Sequence, residues 1–336
     1  MWSIMLDYKK YISVLLLVFV VGCQENTLSL QKHSGRALGT TYLVQYQGQD
    51  QAFVQNQKAF DSLFQTINQS MSTYWPESLI SQINRGNDSV VIDTHFKAVY
   101  QKATQVWQAS NGFFDPTIGS LVNAYGFGPE KGLGVIDDAT LDSLLAITGW
   151  EKLQLTDAGT ITKFNKSIYI DFNAIAKGYT VDAIGNYLAA KGYTDFLVEI
   201  GGELVARGKS PRTGQVWKVA IDDPQQGETR RFTSIISLQN EALATSGNYR
   251  KFRVDSLTGE KYVHTLNPKT GRPVRSNILS TSVRAADCMT ADAWATTLMV
   301  LPLEEGRALI NARPDLAAFW IISEDKEVKE VQSTNW

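Results

Sequence analysis

The sequence predicts an α+β fold, and three observations predict it. Segments with helical and strand periods are mixed without strict alternation. The stretch from Phe196 to about Ser246 breaks into short strands separated by Gly and Pro. No Gly-x-Gly-x-x-Gly opens a βαβ unit, so a doubly wound parallel sheet is a poor description.

In chain order, Ala37 to Gln47 alternates apolar positions and reads as a first strand. Ala52 to about Met71 has helical spacing at Phe53, Phe60, Leu63, Phe64 and Ile67. A second helix runs near His95 to Ala109, with Phe96, Val99, Tyr100, Ala103 and Val106 on one face. Asp138 to Ile147 is a third, opened by an acidic first turn. Strands are expected near 152–156 and 167–171, followed by a helix from about Ala174 to Lys191. Ile278 to Ala285 is another strand, Cys288 to Leu301 a strongly apolar helix, and Ala317 to Ile322 the expected last strand. No internal repeat is visible, and no linker forces a domain split.

Charged residues make up 20% of the chain and the aromatics include eight Trp, which describes a packed globular body rather than a disordered one. Net charge is −2 with no long basic run, which argues against nucleic acid as a partner. Ser nucleophile elbows, zinc-type Cys/His spacings and P-loops are absent, so serine hydrolases and P-loop NTPases are poor readings.

The N-terminus has its own pattern. Lys9 and Lys10 precede an apolar stretch from Tyr11 to Val21, shorter than the roughly 20 residues of a membrane span. Val20-Val21-Gly22-Cys23 closes it and resembles a bacterial lipoprotein signal, which implies acylation of Cys23 and removal of residues 1–22. The alternatives are an ordinary cleaved signal or a short anchor with an incidental cysteine. Residues 23–35 are expected to be a polar tether, and 36–336 one domain. With Cys23 lipidated, Cys288 is the only thiol left and no intrachain disulfide can form.

Four groups of residues bear chemistry. In Asp171-Phe-Asn-Ala174-Ile-Ala-Lys177 a strand ends at an acid and a helix opens with a lysine in its first turn. Free N–H groups and an ammonium there make an anion cradle, or else Asn173 caps the helix and Lys177 is solvated. Asp292 and Thr296 lie four apart, on one face of the apolar helix. Their oxygens suit a hard cation such as Mg²⁺, or else they cap a loop and bond back to the helix. His264 stands beside the Asn267-Pro268 and Thr270-Gly271 turns, placed as a general base or as a histidine bonded to loop carbonyls. The fourth group comprises loops at Leu38-Gly39, Met71 to Ser78, Asn111 to Pro116 and Glu199 to Gly202, where Tyr74 and Trp75 could sandwich a flat heterocycle, or else form the rim of the core.

In this order these segments resemble the ApbE family of FAD:protein FMN transferases. The matching pieces are ALGTTY, MSTYWPESLISQIN, NGFFDPTIGSLVNAYGFG, DFNAIAKGYTVD, VEIGGEL, HTLNPKTGRPV and ADAWATTLMVL, spanning residues 37 to about 301. The resemblance implies a T-fold-like α+β body of two interlocked subdomains around a flavin cleft. It also implies Mg²⁺-dependent transfer of FMN from FAD to a Thr or Ser hydroxyl of an acceptor flavoprotein, with AMP leaving. Carried over by position, Asp292, Thr296 and the Ala174 carbonyl would hold Mg²⁺. Leu38, Tyr74, Gly112, Phe113, Phe114, Asp171, Lys177 and Thr265 would contact FAD. Lys177 and Asp292 would act in catalysis with His264, the base for the acceptor hydroxyl.

The implied partners are FAD and an acceptor flavoprotein: flavin subunits of a sodium-pumping NADH:quinone reductase or Rnf complex, or other secreted flavoproteins. The implied location is the periplasmic face of a membrane, the inner one by preference. Leu38 stands where a methionine is frequent, Asn173-Ala174 where paired glycines are, and Ala295 where some members add an acid to the metal site. An FAD pyrophosphatase yielding FMN and AMP, or a non-catalytic flavin-binding lipoprotein, are the competing readings on the same scaffold.

Overall fold

The structure is a computed structural model that describes residues 28–224, 231–248, 252–254, 261–325 and 327–336. Residues 1–22 and Cys23, the expected signal and lipidation site, lie outside them. The chain begins with a hairpin of β1 (Ser29–Ala37) and β2 (Thr40–Gly48). Five helices follow: α1 (Phe53–Met71), α2 (Leu79–Asn84), α3 (Thr94–Ala109), α4 (Gly119–Ala124) and α5 (Asp138–Ala146). A short hairpin, β3 (Leu153–Leu155) and β4 (Ile161–Lys163), leads into α6 (Ala176–Ala190). Next come β5 (Phe196–Ile200), β6 (Glu203–Arg207), β7 (Trp217–Asp222), β8 (Phe232–Leu238) and β9 (Glu241–Gly247). After them come β10 (Phe252–Val254), β11 (Lys261–Val263) and β12 (Ile278–Ala285). The chain ends with α7 (Cys288–Val300), α8 (Leu303–Asn311), β13 (Ala317–Glu324) and β14 (Glu327–Gln332).

Eight strands form one sheet in the order β1-β2-β5-β6-β9-β12-β13-β14. Each neighbouring pair is antiparallel, which makes the fold α+β as expected. On one face Tyr42, Val44 and Tyr46 of β2 and Phe196, Val198 and Ile200 of β5 pack on Phe60 and Phe64 of α1 and Val181, Ile184 and Leu188 of α6. On the other face Leu197, Leu204 and Leu243 are covered by the β7–β8 hairpin through Trp217 and Leu238. Covering both faces explains why successive residues of β5 and β6 are buried rather than alternate ones. α7 lies between the sheet and the helices of the first half, so Trp294 and Leu298 share one core with Phe96, Val99 and Trp320. A helix enclosed on every side must be apolar all round. Among the described residues no helix is long and apolar enough to cross a membrane.

Three expectations need correction. Residues 29–35 of the supposed tether belong to β1, paired with β2 along its whole length. The strand was hidden because its inward positions are polar: Gln31 and His33 are buried. His33 stacks on Phe53 at 4.0 Å, and its Nδ1 and Nε2 meet Gln57 Oε1 at 2.8 Å and Tyr46 OH at 3.0 Å. Residues 167–171 form no strand, although Ile168 and Ile170 are fully buried. Tyr169 makes only an isolated parallel bridge to Ile118, and the Asn84 side chain pairs with Ile170, donating to its carbonyl at 2.9 Å and accepting from its N–H at 2.8 Å. Finally β13 is not the last strand. β14 closes the sheet with exposed Glu327, Lys329 and Glu330, a charged edge that resists pairing with another chain.

Burial lowers the pKa of His33 below 6.5, with Gln57 and Asp61 opposing, so the native state favours the neutral ring. Its contribution is full above pH 6.5 and is lost as pH falls towards the lower folded value, because the unfolded chain binds the proton more readily. We expect His33→Gln to flatten the loss of thermal stability between pH 7 and pH 5 relative to the unmodified protein. Parallel slopes in melting experiments would show that another group sets the acid sensitivity.

Candidate active site

The site is built where the N-terminal ends of α6 and α7 approach each other. α6 has no side-chain cap of its own at Ile175, so its first amides need outside acceptors. Asn173 is not the cap. Its N–H instead donates to Asp171 Oδ1 at 2.7 Å in a tight turn. The Gly178 N–H donates to Asp292 Oδ2 at 2.9 Å, so a carboxylate from α7 caps α6. The other oxygen, Oδ1, lies 3.6 Å from Lys177 Nζ. Asp292 is 2% exposed, and these two contacts compensate its burial.

Gly178 makes this approach possible. A Cβ there would lie 2.3 Å from the Cys288 carbonyl oxygen and 2.8 Å from Asp292 Cβ. Lys177 also pairs with Glu203 Oε1 at 2.8 Å, while Glu203 Oε2 is buried without a partner. Burial pulls the Lys177 pKa down, but Asp292 and Glu203 outweigh it and the net direction is up. Burial raises the Glu203 pKa, opposed by Lys177 and reinforced by Asp292.

Glu203 is the functional candidate that the sequence reading missed. Its signal was the Gly201-Gly202-Glu203 turn: Gly201 and Gly202 both have positive φ, and β6 starts at the carboxylate. The Gly202 N–H donates back to Glu199 Oε1 at 2.7 Å.

These groups face a cleft of about 1290 Å³, larger than the roughly 300–1,000 Å³ of ordinary small-molecule pockets. Its walls include Leu38, Tyr74, Phe113, Phe114, Asp171, Ala174, Lys177, His264, Thr265, Asp292 and Thr296. The structure therefore gathers in one cavity all but one of the site residues expected among the described positions. The exception is Gly112, which does not line it; its φ of +77° sets the turn that leads into Phe113 and Phe114. Tyr74 lines the cleft while 62% exposed, and Trp75 beside it in the chain does not line it.

Leu38 sits at the tip of the β1–β2 hairpin with φ +51°, followed by Gly39 at +75°. His264 directly follows β11 and meets Phe127 edge to face at 6.2 Å between centroids. Its loop is held by the Gly271 N–H, which donates to the Asn267 carbonyl at 2.8 Å. Thr265 Oγ1 donates to Asn248 Oδ1 at 2.6 Å.

The donors suit a hard divalent cation. Asp292, Thr296 and Ala174 bring a carboxylate, a hydroxyl and a carbonyl oxygen to the same cleft, and Glu203, whose Oε2 has no partner, lines it too. Thr296 Oγ1 lies 3.0 Å from Ser246 Oγ, which orients the hydroxyl. Among the described residues no three His, Cys, Asp or Glu side chains cluster to hold a metal by themselves. A cation here would leave coordination positions for phosphate oxygens and water.

The ApbE family model matches residues 38–320. The chain belongs to the ApbE family. It is 35% identical to the FAD:protein FMN transferase of Vibrio cholerae, over 95% of both chains. It is 32% identical to that of Haemophilus influenzae, over 94% of this chain and 92% of the relative. Among solved structures, the flavin transferase ApbE from Vibrio cholerae superposes with a TM-score of 0.81 at 34% identity, covering 92% of this chain and 98% of that one. The apo flavinyl transferase ApbE of Pseudomonas stutzeri also gives 0.81, at 29% identity over 92% and 96%. Membership agrees with the antiparallel α+β body.

The contact between α6 and α7 can be tested directly. Gly178→Ala forces a methyl against the backbone of Cys288, and overpacking of this kind costs about 1–3 kcal/mol. We expect a lower urea midpoint with an unchanged slope. A midpoint equal to that of the unmodified protein would mean that the helices tolerate a wider crossing.

Proposed function

We propose that this ApbE-family protein transfers FMN from FAD to a Thr or Ser hydroxyl of an acceptor flavoprotein. The observation that carries the reading is the juxtaposition of Lys177, Asp292 and Glu203 in the same cleft as Tyr74, Phe113, Phe114 and His264. A charged cluster able to hold a diphosphate thus shares one cavity with aromatic groups able to hold a flavin. Curated relatives that align over nearly the whole chain bear the name of this activity.

In the reaction the acceptor oxygen attacks the phosphorus of the FMN half, the P–O–P bond breaks and AMP leaves. A phosphoester joins FMN to the acceptor. His264 takes the hydroxyl proton. Lys177 holds the diphosphate and stabilises its growing charge, and Glu203 keeps the ammonium aimed into the cleft. Leu38, Tyr74, Phe113, Phe114, Asp171 and Thr265 bind and orient FAD, with Gly112 shaping their turn. Mg²⁺ would be held by Asp292, Thr296 and the Ala174 carbonyl, where it neutralises charge on phosphoryl oxygens.

The protein acts as a lipoprotein anchored through Cys23 on the periplasmic side of the inner membrane. Its acceptors are flavin subunits of the sodium-pumping NADH:quinone reductase or Rnf type. The lipoprotein-like pattern ending at Cys23 and the membrane setting of such acceptors support this reading.

The test is incubation with FAD, Mg²⁺ and the isolated flavin-bearing domain of such an acceptor, followed by its mass measurement. Transfer adds FMN less one water. Free FMN and AMP with an unmodified acceptor would indicate a pyrophosphatase instead, and intact FAD a flavin binder. We expect Asp292→Ala to lower the transfer rate by about 10²–10³. His264→Ala should still bind FAD yet fail to modify the acceptor. Normal turnover by either variant removes that residue from its role.

A further inference from the structure

The caps between α6 and α7 run in both directions. Asp292 of α7 accepts from the Gly178 N–H of α6, and Asp182 of α6 accepts from α7. Asp182 Oδ1 takes the Cys288 N–H at 2.8 Å, and Oδ2 takes the Met289 N–H at 2.8 Å. One carboxylate thus satisfies the first two amides of the helix that bears Asp292 and Thr296.

α7 already has a cap of its own. Asp287 Oδ1 accepts from the Thr290 N–H at 2.8 Å, and its Oδ2 meets Lys102 Nζ at 3.3 Å. That cap serves the Thr290 amide, so the Cys288 and Met289 amides depend on Asp182, whose burial is costly. Its pKa is pushed up to about 7 by desolvation, with the two amides pulling it down, Asp287 adding to the rise and Arg207 opposing it. Because it accepts these amides from α6, Asp182 also ties α7 to α6, as Asp292 does in the opposite direction. It lies five residues after Lys177 on the same helix, so it links the backbone that carries the ammonium to the backbone that carries Asp292.

We propose that Asp182 is a positioning residue, which fixes the register of α7 on α6 and so holds Asp292 and Thr296 in the geometry that binds the divalent cation beside Lys177. This rests on the reading of the site given under Proposed function. Partners that orient metal ligands from behind commonly contribute 10- to 100-fold in metal affinity. Asp182 reaches the ligands through the helix backbone rather than by touching them.

The test compares Asp182→Asn with Asp287→Asn in the full chain. Mg²⁺ is titrated calorimetrically into the FAD-loaded protein without acceptor, and urea midpoints are measured in parallel. Both variants remove a carboxylate cap from α7, but only one cuts the tie to α6. We expect Asp182→Asn to weaken Mg²⁺ binding by about 10- to 100-fold, and to lower kcat for transfer more than it raises the KM for FAD. Asp287→Asn should lose stability while retaining its Mg²⁺ affinity.

Unchanged Mg²⁺ affinity in Asp182→Asn, or equal losses in both variants, overturns the proposal. If Asp182→Asn does not fold, Asp182→Glu carries the same test, because it keeps the charge and moves the carboxylate by one methylene. Retained Mg²⁺ affinity in Asp182→Glu, or failure of this variant to fold as well, also overturns it. A wild-type protein that neither binds Mg²⁺ nor modifies an acceptor refutes the underlying functional reading instead, and the two failures are thereby told apart.

Discussion

An α-helix leaves its first amides without partners inside the helix, and a buried helix end must find acceptors elsewhere. Here α6 and α7 meet this demand for each other with side chains from their own first turns or just beyond. Asp292 receives the Gly178 amide, and Asp182 receives those of Cys288 and Met289. The arrangement works only because Gly178 has no side chain and the two backbones come close. Three otherwise separate facts then follow together: an Asp in a wholly apolar helix, a lysine in the first turn of its neighbour, and a glycine between them.

The same constraint determines the charge balance of the cleft floor. Asp292 spends one oxygen on an amide and turns the other towards Lys177, while Glu203 gives Lys177 a second, shorter contact. Two carboxylates around one ammonium leave surplus negative charge in a largely desolvated place, and Glu203 Oε2 has no partner there. Such an imbalance is relieved by proton uptake at Glu203, whose pKa burial pushes up to about 7, or by a bound cation. The hydroxyl of Thr296, one turn beyond Asp292, supplies a neutral oxygen in the right place. Cys288 lies beneath the same junction, fully buried, with burial raising its pKa well above the ordinary thiol value. That thiol belongs to the core and not to the chemistry.

Much of this was legible in the sequence. The four-residue spacing of Asp292 and Thr296 fixed a common face, and the apolar run around them announced a buried helix. Lys177 after a strand-like acid announced a helix start aimed at an anion. What escaped was whatever depends on a partner distant in sequence. β1 was hidden because Gln31 and His33 turn inward, satisfied by Asp50, Gln57 and Tyr46, so hydropathy alternation gave no sign of it. The stretch around Ile170 looked like a strand because it is apolar, yet Ile170 pairs with the side chain of Asn84 and Tyr169 makes only a single bridge to Ile118. Glu203 carried only a weak local signal, two glycines before a strand. Its role depends on Lys177, which stands 26 positions earlier in the chain.

Leu38 shows how the fold meets a cost imposed by its cleft. A two-residue hairpin turn with positive φ at both central positions favours Asn-Gly or Asp-Gly. Here the first position is a leucine at φ +51°, a conformation that costs a bulky residue on the order of 1–3 kcal/mol. Nine paired positions between β1 and β2, anchored by the buried His33, hold the turn against that strain. The leucine side chain packs partly on the core under α1 and α6 and partly lines the cleft. A polar turn residue would relieve the backbone but leave the cleft wall without apolar surface at this point. The strain is therefore best understood as the consequence of using a hairpin tip to shape a binding wall, with the inward-facing polar residues of β1 supplying the support.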